Sequence, residues 1–322
     1  MDKVFELTDI SKYRSELMGW AIVWIMMLHF TFNQIKPLGF IAQYGFAGVE
    51  IFMMVSGLGL YFALDKNKDL RNYYKRRLIR IFPTYYFIGF FASLFLFHDT
   101  LFSYLFRYST IGFWIGGPSW EWYVPSIVAL YIIAPFIKEI IDKGQTTAIL
   151  IICIFIIAIS YYIVSNDIVE AKEPHFFLLY RIPAFILGMI CAHWIKNSTS
   201  TKYFYIILLI GIPCFVILFP RHHQIYNYKY LSLSFLLPAF TISFINLSKF
   251  LKPLNPILAC IGKASLEIYL IQAIFFNAII SGQLEISSAW HDAITIALII
   301  TSSLIGIIVH KIIDMSGILR KI

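Results

Sequence analysis

The sequence predicts an all-α protein, a polytopic transmembrane bundle of about ten spanning helices with both termini cytoplasmic, and three observations carry that prediction. The chain of 322 residues is 59% hydrophobic and only 14% charged, against about 25% charged in soluble domains, so it lacks the polar surface that a water-soluble globule of this length needs. Apolar windows long enough to cross about 30 Å of hydrocarbon, at about 1.5 Å per residue, recur along the whole chain. Lysine and arginine concentrate on alternate connecting segments, the bias that fixes orientation in a membrane.

The windows run from Leu17 to Asn33, Gly45 to Leu64, Ile81 to Phe97, Trp120 to Ile137, Thr147 to Ser165, Phe176 to Trp194, Tyr203 to Phe219, Tyr230 to Leu247, Pro256 to Ile280 and Trp290 to Ile313. The first follows the mixed-charge stretch Met1 to Glu16, holds Trp20, Trp24 and His29, and lacks a small-residue cleavage pattern, so it reads as a retained helix and not as a signal peptide. Between the second and third windows lies Asp65 to Arg80, the one long basic connection; it pins this side to the cytoplasm, with Lys36, Arg107, Lys172, Arg221 and Lys229 scattered on the other. A net charge of +8 is thus accounted for by basic segments against anionic lipid, and nucleic acid is not an expected partner. No repeat of 20 to 50 residues and no linker divides the chain, which predicts a single domain over residues 1–322. Cys153, Cys191, Cys214 and Cys260 sit singly in apolar runs without metal-ligand spacing, so they read as small hydrophobes and no metal is expected.

Within the spans a few polar residues stand out. His29 lies well inside the first, where an ionisable group is costly unless it faces protein or a water-filled cavity. It is either a histidine satisfied by a neighbouring helix or a general base, since imidazole titrates near neutral pH. Arg14, 15 residues earlier, would sit about 22 Å down the same helix at the inner headgroups, as a topology anchor or as a site residue. Glu50 opens the second window on the same outer side as His29 and would raise its basicity if the two paired. Ser56 with Gly57 and Gly59 marks a small-residue patch suited to close helix packing or to a narrow ligand. In Arg76-Arg77-Leu78-Ile79-Arg80, Arg77 and Arg80 share a helix face at i, i+3, and two planar guanidinium forks on one face suit a phosphate-rich ligand.

Taken in order, these residues resemble the acyltransferase 3 family of bacterial membrane acyltransferases. The resemblance rests on Tyr13-Arg14-Ser15-Glu16-Leu17-Met18-Gly19 followed by His29, on Gly48-Val49-Glu50-Ile51-Phe52 with Ser56-Gly57, and on Arg76-Arg77-Leu78-Ile79-Arg80-Ile81-Phe82-Pro83. It continues through Trp122-Tyr123-Val124-Pro125 with Tyr131 and Pro135, Arg181-Ile182-Pro183-Ala184-Phe185-Ile186-Leu187-Gly188, and Gly262-Lys263-Ala264-Ser265-Leu266-Glu267-Ile268-Tyr269-Leu270. The resemblance implies ten core helices in the bacterial cytoplasmic membrane, an acyl-CoA donor used as co-substrate and not held permanently, and transfer of an acyl group, usually acetyl, to a carbohydrate hydroxyl at or beyond the outer face. It further implies that His29 is the catalytic histidine and that Arg77 with Arg80 forms the cytoplasmic arginine pair; Glu50 and Arg14 join His29 as candidate catalytic residues, and Arg76 joins the pair as a candidate donor-binding residue. Three positions depart from the family pattern: Met18 stands where an arginine is common, Ile127 where a glutamate is common, and Gln272 where a histidine is common.

On this reading Arg77 and Arg80 take the phosphates, the pantetheine arm enters the bundle, and His29, held by Glu50, deprotonates the sugar hydroxyl. Ser56 or Tyr123 would donate to the developing oxyanion, and Trp122, Arg181, Tyr269 and Gln272 would complete the pocket. The competing reading is a transporter or flippase of a lipid-linked saccharide, whose pathway the intramembrane polar groups and the loop histidines His222 and His223 would line.

Overall fold

The structure, a computed structural model, describes residues 4–115, 121–166, 178–219 and 231–317, and among these every regular element is helical. After the short α1 (Thr8–Lys12) comes α2 (Arg14–Phe30), which starts one turn before the apolar window. It stops because Thr31, at φ 57°, breaks the hydrogen-bond ladder. The chain turns through α3 (Lys36–Ala42) into α4 (Ala47–Lys66). Asp69 then caps α5 (Leu70–Ala92), accepting from the backbone N–H groups of Arg71 and Asn72, and α5 runs on as a π-helical turn, Ser93–Phe97. Two short helices, α6 (Leu101–Tyr108) and α7 (Ile111–Trp114), precede α8 (Tyr123–Asp142) and α9 (Thr146–Ser165). The remainder is α10 (Ile182–Lys196), α11 (Lys202–Leu218), α12 (Leu237–Phe250), α13 (Asn255–Lys263), α14 (Ser265–Ile280) and α15 (His291–Met315).

Among the described residues, four stretches are long and apolar enough to cross a membrane: Ala47–Lys66, Leu70–Phe97, Tyr123–Asp142 and Ser288–Met315. A fifth arises if α13 and α14, bent by 73°, form one span. Thr147–Ile163, Ile182–Lys196 and Lys202–Leu218 are apolar but shorter. Two local expectations are corrected. The basic stretch read as a connection up to Arg80 is already helical from Leu70, because the Asp69 cap starts the helix ahead of the apolar run. The window from Pro256 to Ile280 is two helices: its composition is continuous, but packing breaks it at Ala264, and the freed Lys263 carbonyl accepts from Arg80 Nη2 at 3.1 Å.

α4 is the centre of the bundle. Of its spanning window 72% is buried, against 33–39% for the other three, so it packs on protein all round. Its contact with α10 is close enough to require glycine on both sides. A Cβ on Gly57 would lie 2.0 Å from the Phe185 carbonyl oxygen, and one on Gly188 would lie 1.8 Å from that of Met54. Such backbone-to-backbone approach is how helices associate where burial of oil against oil drives nothing. Gly262 does the same for α13 on α2, where a Cβ would meet the Ser15 carbonyl oxygen at 1.8 Å. The outward faces of α9, α11 and α15 expose Phe155, Ile154, Leu209, Ile210, Leu304 and Ile308, a ring of apolar side chains suited to lipid and costly in water.

Candidate active site

α2, α4, α5, α8, α14 and α15 enclose a cavity of about 470 Å³. Its two ends differ in chemistry. Arg14 and Ile25 both line it from α2, and their separation of 11 positions spans about 16 Å of helix. At the Arg14 end the wall carries Arg77 and Arg80 from the first turns of α5, Lys263 at the α13–α14 break, and His310 and Asp314 from the end of α15. At the Ile25 end it carries Phe52, Trp122, Tyr123, Ile127 and Tyr269.

The cationic end follows from helical register. Arg77 and Arg80, three residues apart on α5, face inward together, with the Arg77 guanidinium 5.8 Å from the Tyr73 ring and its Nε without a hydrogen-bond partner. Arg76 lies about 100° round the helix; it is exposed and does not line the cavity, so the expectation that it joins the donor site is corrected. Arg14 leans on Gly59, where a Cβ would come 2.6 Å from Nη2; the missing side chain is its seat. Like-charge repulsion among Arg14, Arg77 and Arg80 is tolerable where a polyanion is to be received.

The apolar end leads to the histidine. His29 stands one turn above Ile25 on α2 and is half-buried. Its Nδ1 lies 2.8 Å from Gln272 Oε1, and because a carbonyl oxygen only accepts, Nδ1 carries the proton and Nε2 keeps its lone pair. Phe276, one turn further along α14, stacks on the imidazole at 4.5 Å between ring centroids. The expected His29–Glu50 pairing does not form. Glu50 instead faces Arg181, Oε1 to Nε 3.5 Å, with both side chains 2% exposed. The reason is rotational: Gly48 packs α4 on the Ala21 carbonyl of α2, which turns Glu50 toward α10. The Arg181 guanidinium also sits over the Trp122 ring at 4.8 Å, so Glu50, Arg181 and Trp122 form one buried wall. Ser56 and Tyr123 line the cavity, and the rings of Tyr123 and Tyr269 lie 5.4 Å apart.

Other titratable groups escaped the sequence reading. Glu267, fully buried, accepts from Thr84 at 3.3 Å and faces His310 Nδ1 at 3.1 Å. His310 carried the signal that singled out His29, an ionisable residue within an apolar span. Glu121 is buried and accepts the Tyr85 hydroxyl at 2.7 Å; as a carboxylate between Trp120 and Trp122 it was open to notice. Asp292 accepts the backbone N–H groups of Asn33, Gln34 and Ile35 at 2.8, 3.0 and 2.5 Å, pinning the chain just beyond His29. His222 and His223 lie outside the described residues. Among the described residues no three His, Cys, Asp or Glu side chains gather closely enough to hold a metal ion.

Comparison with known proteins adds three findings. The family model described as an acyltransferase domain matches residues 17–311. A relative in Acidianus two-tailed virus, named "Putative acetyltransferase ORF330", is 28% identical over 203 residues, which is 58% of this chain and 58% of the relative. The chain therefore spans little more than half of that relative's length. No solved structure matches.

Proposed function

The chain belongs to the acyltransferase 3 family, and on that premise we propose that it moves an acyl group, acetyl foremost, from cytoplasmic acyl-CoA to a hydroxyl of a cell-surface or lipid-linked polysaccharide. In this reading both termini are cytoplasmic, the three shorter apolar helices together with α2 and α12 complete a bundle of about ten spans, and the membrane is the bacterial cytoplasmic one. The observation that carries the reading is the cavity: three guanidiniums at one end, an apolar neck, and a tautomer-fixed histidine one turn beyond the neck.

Each part has a physical role. A volume of about 470 Å³ falls in the usual range for a ligand pocket, about 300–1,000 Å³. It suits the pantetheine arm, while the nucleotide's phosphates stay with Arg14, Arg77 and Arg80 at the mouth as charge-assisted, forked hydrogen bonds. Ile25, Phe52 and Ile127 favour an apolar acyl tail at the closed end. His29 Nε2, with its lone pair available, takes the proton from the acceptor hydroxyl, and its half-buried position lets the acceptor approach from the outer side. The Glu50–Arg181 pair sits behind Trp122 as a wall and not as a proton relay.

The test is release of free CoA from acetyl-CoA by the purified protein in a native glycan–lipid extract, wild type against His29→Ala. Release by wild type that disappears in a folded His29→Ala variant supports the reading. No release by wild type from any short acyl-CoA, with folding and acceptor intact, overturns it.

A further inference from the structure

Helix α14 carries three side chains on one stripe, Tyr269, Gln272 and Phe276, at i, i+3 and i+7. Tyr269 lines the apolar end of the cavity, and its Oη has no hydrogen-bond partner, so its proton has no acceptor. Gln272 is fully buried; its Oε1 is taken by His29 Nδ1–H, while its Nε2 has no hydrogen-bond partner. Two buried donors one turn apart are thus left without acceptors. A buried donor left unpaired is destabilising, and buried polar groups are nearly always satisfied. Both lie at the level where the cavity ends below the imidazole: Ile25 is the last α2 residue lining it and His29 is one turn above, as Tyr269 lines it from α14 and Gln272 is one turn above.

Resting on the acyl-CoA reading above, we propose that Tyr269 Oη–H and Gln272 Nε2–H form the oxyanion site for the donor's thioester carbonyl. Gln272 then serves twice, fixing the tautomer of the base through its oxygen and binding the reacting carbonyl through its nitrogen. The step balances as follows. The acceptor hydroxyl gives its proton to His29 Nε2, and its oxygen forms a bond to the thioester carbon. The carbonyl π pair moves onto oxygen, where the two donors hold it. Collapse of that oxyanion breaks the carbon–sulfur bond, and the leaving thiolate takes the proton back from the imidazolium, giving an ester and free CoA thiol. Ser56 and Tyr123 also line the cavity; this assignment takes Tyr269 and Gln272 as the oxyanion donors in their place.

The test uses the full chain in lipid nanodiscs with acetyl-CoA labelled with ¹³C at the carbonyl. Isotope-edited infrared spectra are taken with His29→Ala, which holds the donor without turning it over, and with the same protein further carrying Tyr269→Phe and Gln272→Glu. Glutamate keeps an acceptor and removes the donor. The expected result is a bound carbonyl band displaced to lower frequency in His29→Ala and returned toward its aqueous position by the added substitutions. In turnover, Tyr269→Phe and Gln272→Glu should each lower kcat by about 10²–10³ with KM for acetyl-CoA within about twofold, and Tyr269→Phe should leave the melting temperature unchanged or raised. An undisplaced band with saturably bound donor, or an unchanged kcat in both variants, overturns the proposal. Failure of wild type to bind acetyl-CoA saturably overturns instead the donor reading on which it rests.

Discussion

The two ends of the cavity solve opposite problems. The Arg14–Arg77–Arg80 end gathers like charges at the cavity wall, so Arg77, whose Nε has no hydrogen-bond partner, can be changed with little cost to folding and a direct cost to anion affinity. At the His29–Gln272 end the imidazole is held by one specific partner while Gln272 Nε2 and Tyr269 Oη have none, so a change is felt in geometry and proton position first. A cluster of charges announces itself by residue type alone, whereas a pair of neutral dipoles from α2 and α14 acquires meaning only when the helices meet.

That contrast is open to test, beginning with the largest effect. His29→Ala should reduce acyl transfer by about 10²–10⁴-fold with size-exclusion behaviour and melting temperature intact, measured as CoA release. If transfer survives, the His29–Gln272 end is not the chemical end. Next, Arg77→Ala and Arg80→Ala should each raise KM for acetyl-CoA about tenfold or more, since a hydrogen bond to a charged group contributes about 1.5–3 kcal/mol, with kcat changed far less. Arg76→Ala, on the exposed face, should leave KM as it is and serves as the internal control. Titration of acetyl-CoA at fixed acceptor separates the three.

Stability should divide the other way. Glu50→Gln removes the carboxylate that faces the buried Arg181 guanidinium, a change that costs about 3–5 kcal/mol in comparable buried pairs. The melting temperature should fall clearly, and the double substitution Glu50→Gln with Arg181→Met should recover part of the loss. Equal loss in single and double variants would deny the pair its role as a wall. The smallest effect concerns Asp99, beyond the end of α5. Burial acts to raise its carboxyl pKa, but hydrogen bonds from Arg107 and Ser93 outweigh it and hold the group below the usual carboxylate range. A carboxyl with a folded pKa below its unfolded value contributes stability at pH above the unfolded value. That contribution is lost as pH falls through the folded one. Acid unfolding of Asp99→Asn should therefore show a shallower pH dependence than wild type below about pH 4, and identical slopes would break the link.

Much of this was legible in the sequence. Composition pointed to lipid, because 14% charged residues cannot clothe a globule of this size, and among the described residues four of the apolar windows fall on helices long enough to cross hydrocarbon. Residue type and i, i+3 spacing marked Arg77 and Arg80, and cost of burial marked His29. The order of short motifs along the chain identified the family, which the match over residues 17–311 bears out.

Tertiary structure decided the rest. Sequence proximity to an outer helix end suggested that Glu50 would hold His29, but the rotation of α4, set by glycines at backbone contact with α2 and α10, sent it to Arg181. The Pro256–Ile280 window gave no sign of breaking, yet the packing of Gly262 on Ser15 and a carbonyl offered to Arg80 bend it by 73°. Gln272, noticed only as a departure from a pattern, became the partner of His29 because α14 runs alongside α2 at the required height. Hydrophobic content and charge are sums over residues and survive any arrangement, so one chain read in order determines them. Which dipole faces which proton depends on rotations of about 100° per residue and on approaches of a few ångströms between helices distant in sequence, and those are fixed only when the helices pack.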